Sequence, residues 1–69
     1  MNQMAMFTIE RMSPRGWTAE IQYHTEFRAF LNARAKCMAT GHVYRIINSK
    51  GEVLSEITLD DCKRQFQAR

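Results

Sequence analysis

The stretch Thr25–Gly41, "TEFRAFLNARAKCMATG", reads as a helix with both ends marked. Thr25 can cap it, and Glu26 puts a carboxylate at the positive end of the helix dipole. Thr40-Gly41 stops it, because glycine takes the left-handed conformation beyond a helix end without steric penalty. The predicted helix runs from Glu26 to about Ala39. Wound at about 100° per residue, it gathers Phe27, Phe30, Leu31 and Met38 into an apolar arc, with Arg34 inside that arc. A cation there is costly unless it is paired or reaches water. Two readings are open. In one, the Arg34 stem covers apolar surface while the guanidinium snorkels outward or meets a strand carboxylate such as Glu10 or Glu20. In the other, Phe30, Arg34, Cys37 and Met38 form an interface stripe, since aromatics, Met and Arg are enriched at the centres of protein interfaces. Arg28 and Lys36 are expected toward the outer side of the helix, as a basic rim or a solvated face.

A hairpin is predicted on each side of this helix. Before it, Met6–Met12 alternates as a strand, Ser13-Pro14-Arg15-Gly16 supplies turn chemistry, and Trp17–Tyr23 returns. Alternation puts Trp17, Ala19, Ile21 and Tyr23 on one face, expected to be a core face, and Thr18, Glu20 and Gln22 on the other. After it, His42–Asn48 is rich in β-branched and aromatic residues, Asn48-Ser49-Lys50-Gly51 turns, and Glu52–Ile57 returns. Thr58 and Asp61 then have the spacing of a capping box. The short terminal helix they start would place Leu59, Cys62 and Phe66 on one stripe. The expected fold is α+β: a single two-layer domain over residues 1–69, with a four-stranded antiparallel sheet, one main helix (ββαββ) and a short C-terminal helix. Its other sheet face is left wet or for a partner. Residues 1–5 are expected to be flexible.

At 69 residues the chain is near the lower end of independent folding, so stability that depends on a target or on a homodimer is in keeping with its size. Apolar content of 45% and charged content of 25% are ordinary globular values and argue against disorder. The apolar runs are far shorter than the roughly 20 residues that span a bilayer, and the first residues lack a leader pattern. A cytoplasmic protein with reduced thiols is expected, Cys37 and Cys62 serving as small hydrophobes. The net charge of +3 is uneven. Residues 1–50 carry seven Lys/Arg against three Glu, whereas residues 51–69 carry three against four acidic side chains. That balance suits nucleic acid or an acidic protein surface, and equally suits simple solubility.

Chemistry-bearing patterns are sparse. His24, Cys37, His42 and Cys62 stand 13, 5 and 20 positions apart, without the close ligand pairs of zinc sites, so no metal and no cofactor are expected. A cysteine nucleophile would need one of these histidines and a cleft that a small core hardly accommodates, so no enzyme is expected. Gly16, Gly41 and Gly51 each belong to a turn or cap, which leaves no phosphate loop. Trp17, Tyr23 and Tyr44, with Arg11, Arg15, Arg45 and Lys50 near them, could instead stack and hold single strands. Against this, Trp17 and Tyr23 share parity with Ile21 and are read as core, and Tyr44 shares parity with Ile46.

Asn32-Ala33-Arg34-Ala35-Lys36-Cys37 through Gly41-His42-Val43-Tyr44-Arg45-Ile46, followed by Gly51, resembles small phage-encoded proteins in which a basic helix precedes a G-x-V-x-R-I strand and a glycine hairpin. Some type I anti-CRISPR proteins look like this. The resemblance implies a non-enzymatic viral inhibitor in the host cytoplasm. Its basic surface would bind a host RNA-guided defence (CRISPR surveillance) complex, with Arg34, Lys36 and Arg45 as the matching positions. The full set of candidate binding residues is Arg34, Lys36, Arg45, Arg28, Arg15, Lys50 and Tyr44. The alternative is direct, sequence-independent nucleic-acid binding through phosphate contacts from Arg15, Arg28, Lys36, Arg45 and Lys50.

Overall fold

The structure, a computed structural model, describes residues 5–67, with side chains described through Arg64. Most of the segment 1–5 expected to be flexible, and the side chain of Phe66, lie outside that description. The elements are β1 (Phe7–Ser13), β2 (Gly16–Tyr23), α1 (Glu26–Thr40), β3 (Tyr44–Ile47), β4 (Val53–Ile57) and α2 (Leu59–Gln67). The strands form one antiparallel sheet in the order β2-β1-β3-β4, with α1 packed on one side. The chain is therefore a two-layer α+β domain.

Local chemistry fixes each boundary. Ser13 Oγ donates to Gly16 O at 2.8 Å and accepts from Arg15 N at 3.2 Å, closing the first hairpin, and Gly16 takes a φ of 112°. Thr25 Oγ1 accepts from Arg28 N at 3.1 Å, which caps α1, and Gly41 at φ 80° ends it. Asn48 Oδ1 accepts from Lys50 N and Glu52 N at 3.0 and 2.9 Å, shaping the second turn. Thr58 Oγ1 accepts from Asp61 N at 3.1 Å, and Thr58 N donates back to Asp61 Oδ2 at 3.4 Å, so the capping box at the start of α2 is formed.

The buried core comprises Ile9, Ala29, Ala33, Cys37, Tyr44, Ile46, Ile57 and Cys62, with Phe7, Tyr23, Phe30 and Leu59 packed around it. Two expectations need correction. First, α1 does not turn its apolar arc to the sheet: Phe27, Leu31 and Met38 are 69%, 43% and 46% exposed, and the helix meets the sheet through Ala29, Ala33 and Cys37. The volume between the layers is filled from the strands by Tyr44, Ile9 and Ile46, so small helical side chains are what fit beneath it.

The second correction concerns β2. Close to the turn, Ser13 pairs with Gly16, Met12 with Trp17 and Glu10 with Ala19, but Ile9 pairs with Ile21. Glu20 is thus an extra residue, a β-bulge, and it reverses the alternation of everything before it. Ile21 and Tyr23 keep the parity of Ile9 and Phe7 on the helix side. Trp17 and Ala19 go to the opposite face with Met12 and Glu10. A second bulge lies on β4, where Ile46 pairs with Ser55 and Ile47 with Val53, leaving Leu54 over. Both edge strands are therefore interrupted, which discourages extension of the sheet by another chain.

Candidate binding surface on the outer sheet face

The face opposite α1 is built by the register. Met12 stands beside Trp17, Glu10 lies between Ala19 and Arg45, and Arg45 lies beside Glu56. Paired residues share a face in an antiparallel ladder, so these side chains converge on one surface. Arg45 Nε donates to Glu10 Oε1 at 2.7 Å, and the Arg45 guanidinium carbon is 4.2 Å from the centroid of the Trp17 ring. The indole thus spans β1 to reach a cation two strands away, within the range of a cation–π contact. On the same face Met12, beside Trp17, is 42% exposed, while Ile47 is half-buried and Val53, on the far edge strand β4, is 51% exposed. The result is an open surface of mixed apolar and polar side chains, with a pinned aromatic ring at its β2 edge beside the first hairpin turn.

On the helix side, Glu20 collects two cations. Arg11 Nε donates to its Oε2 at 2.7 Å and Lys36 Nζ lies 3.1 Å from its Oε1. These two hydrogen bonds, that of Arg11 first, hold the Glu20 carboxyl below the usual carboxylate range. Lys36, expected on the outer side of α1, turns instead toward β2 because the bulge presents Glu20 there.

The remaining candidates are dispersed. Arg15 and Lys50 are exposed in the two hairpin turns, at opposite ends of the sheet, and Arg28 is exposed in the first turn of α1. Tyr44 is core, 2% exposed, with its hydroxyl 3.3 Å from Thr40 Oγ1, so its ring presents no face to a ligand. Arg34 is half-buried and lines a groove of about 500 Å³ with Phe30, Ile57, Asp61, Cys62 and Arg64. The carboxylates suggested for it, Glu10 and Glu20, are engaged by Arg45 and by Arg11 and Lys36.

Met12, Glu10 and Val53 were not among the residues singled out from the sequence for binding, and Trp17 was weighed as a stacking aromatic but read as core. A signal for Trp17 existed. A turn closed by Ser13 and Gly16 puts Trp17 opposite Met12, whereas the apolar pattern puts Ile21 opposite Ile9; both hold only if β2 has one residue too many.

Among the described residues, no group of three or more His, Cys, Asp or Glu could hold a metal ion, and no helix is long and apolar enough to cross a membrane. Both histidines are exposed while both cysteines are buried. No protein family, curated protein or solved structure matches the chain.

Proposed function

We propose that this chain is a non-enzymatic binding protein that docks on a protein partner through the outer face of its sheet, with Trp17 as the anchor. The observation that supports this reading is the placement of Trp17, stacked with Arg45 on the side away from α1 and paired with exposed Met12. Tryptophan and arginine surrounded by apolar side chains are the residue types that dominate binding energy at protein interfaces. A protein partner is favoured over nucleic acid by charge. Arg45, the cation at the centre of this face, is bonded to Glu10 and lies beside Glu56, so the surface lacks the excess positive charge that phosphates require. The bulged edge strands favour docking on the face rather than along an edge.

The partner class follows from the resemblance to anti-CRISPR proteins: an RNA-guided surveillance complex of type I, which the chain would inhibit as a phage-encoded protein in the host cytoplasm. Arg15 and Lys50, in the two hairpin turns, then serve as a polar rim that steers the encounter, while Arg28 lies on the helix layer. The test mixes the purified chain with a reconstituted type I surveillance complex and follows co-elution and target-DNA binding, with Trp17→Ala as the control. Generic single- and double-stranded oligonucleotides are titrated in parallel over a salt series. Stable co-elution lost in Trp17→Ala is the expected result. No association with the complex overturns the partner class. Steeply salt-dependent oligonucleotide binding that survives Trp17→Ala overturns the docking face and supports the nucleic-acid reading.

A further inference from the structure

Cys37 on α1 and Cys62 on α2 belong to one buried core, in which the two thiols are neighbours. Both are free. Cys37 Sγ also lies 3.9 Å from Ile57 O, immediately before the capping box whose turn brings Cys62 back over α1. Neither is open to solvent, at 0% and 2% exposure. Cys37 is fully buried, and burial, followed by the neighbouring thiol, pushes its acidity down so that it stays protonated while α2 is docked. Cys62 adjoins the groove of about 500 Å³ between α1, β4 and α2, which Arg34 and Arg64 also line.

We propose that Cys37 and Cys62 are a redox pair, which a low-molecular-weight disulfide of the glutathione type converts into an intramolecular disulfide that ties α2 to α1. Cys62, reached when α2 opens beside the groove, loses its proton to solvent and attacks as the thiolate one sulfur of the oxidised reagent; that S–S bond breaks and one glutathione thiolate leaves. Cys37 loses its proton to solvent as α2 opens, attacks the Cys62 sulfur of the mixed disulfide and expels the second glutathione thiolate. The protein gives up two protons and two electrons, and one glutathione disulfide becomes two thiols. The gate is α2, a nine-residue helix packed on α1, and the opening of such a short element costs less than global unfolding.

The experiment incubates the full chain over a series of reduced-to-oxidised glutathione ratios, quenches by acid, and combines intact mass with peptide mapping. The expected product has lost the mass of two hydrogen atoms, yields a cross-linked Cys37–Cys62 peptide, melts roughly 10 °C higher and reverts with dithiothreitol. In Cys37→Ser, one glutathione should accumulate on Cys62 and go no further. Glutathione on both cysteines without a cross-link, a disulfide between two chains, or unmodified thiols at full oxidation would each overturn the proposal. The wild-type peptide map distinguishes these outcomes whether or not the variant folds.

Discussion

Arg45 joins the two halves of the sheet: its guanidinium stacks 4.2 Å from the centre of the Trp17 ring while its Nε holds Glu10 on the strand between them. One cation thereby fixes the only tryptophan of the chain in a defined orientation. An anchor held in place before contact loses less side-chain freedom on binding than a mobile one.

Removing that cation should be visible in the indole itself. Arg45→Ala is expected to shift the Trp17 emission maximum to the red as the ring loses its cover. It should also cost about 1 kcal/mol of stability, the range of a partly exposed cation–π contact and ion pair. Fluorescence spectra and a denaturant titration check both, and an unchanged spectrum would mean that the stacking is not maintained in solution.

Acid should weaken the fold through Glu20. Its carboxyl is more acidic in the folded chain than its ordinary value of 4.5, so the stability it contributes is fully present above that value and is lost as pH falls through the lower folded one. Melting measured from about pH 6 down to about pH 3 should show a falling midpoint in the wild type and a flatter profile in Glu20→Gln. Some slope remains in the variant, because Thr58 and then Arg64 hold Asp61 below its ordinary value as well.

The layer spacing can be tested on α1. Ala33 is fully buried against the sheet, so Ala33→Leu should overpack the interface and cost about 1–3 kcal/mol. Phe27→Ala removes a much larger side chain that is 69% exposed, and should change stability by no more than about 0.5 kcal/mol. Equal losses in the two variants would contradict the observed rotation of the helix.

Docking of α2 depends on its first turn. Thr58→Ala deletes the acceptor for Asp61 N and should cost about 1 kcal/mol. Labelling of Cys37 and Cys62 by a thiol reagent under native conditions should accelerate several-fold, since both become reachable when α2 opens. Unchanged labelling would place the opening elsewhere.

Every element of the fold was legible in the sequence because the signals were local: Thr25 and Gly41 bracket α1, Gly16 and Gly51 mark the hairpins, and Thr58 with Asp61 starts α2. What was not legible were rotations and phases, which depend on the partner surface. The arc of Phe27, Leu31 and Met38 is the strongest apolar pattern on α1, yet three small residues won the core side because Tyr44 and the isoleucines of the sheet already occupy the space. Trp17 was misplaced by one rule applied alone. Parity along β2 predicts core, and only the conflict between parity and turn register reveals the bulge. The abundance of cations was plain from the sequence, but their pairing was not, since Glu10 and Glu20 meet Arg45, Arg11 and Lys36 through contacts between separate elements.

The bulge at Glu20 makes β2 two strands in one, with separate mutational fates. Substitutions at Trp17 and Ala19 alter the face away from α1, whereas those at Tyr23, which packs against the core, alter the interior, and those at Ile21 the helix-side edge, where it is 42% exposed. The outer face can thus change its side chains without renegotiating the packing beneath α1. A single-residue deletion at position 20 would join the two phases, forcing Trp17 to the helix side or Ile21 and Tyr23 to the outer face, so this one position guards the distinction between the two sides of the sheet.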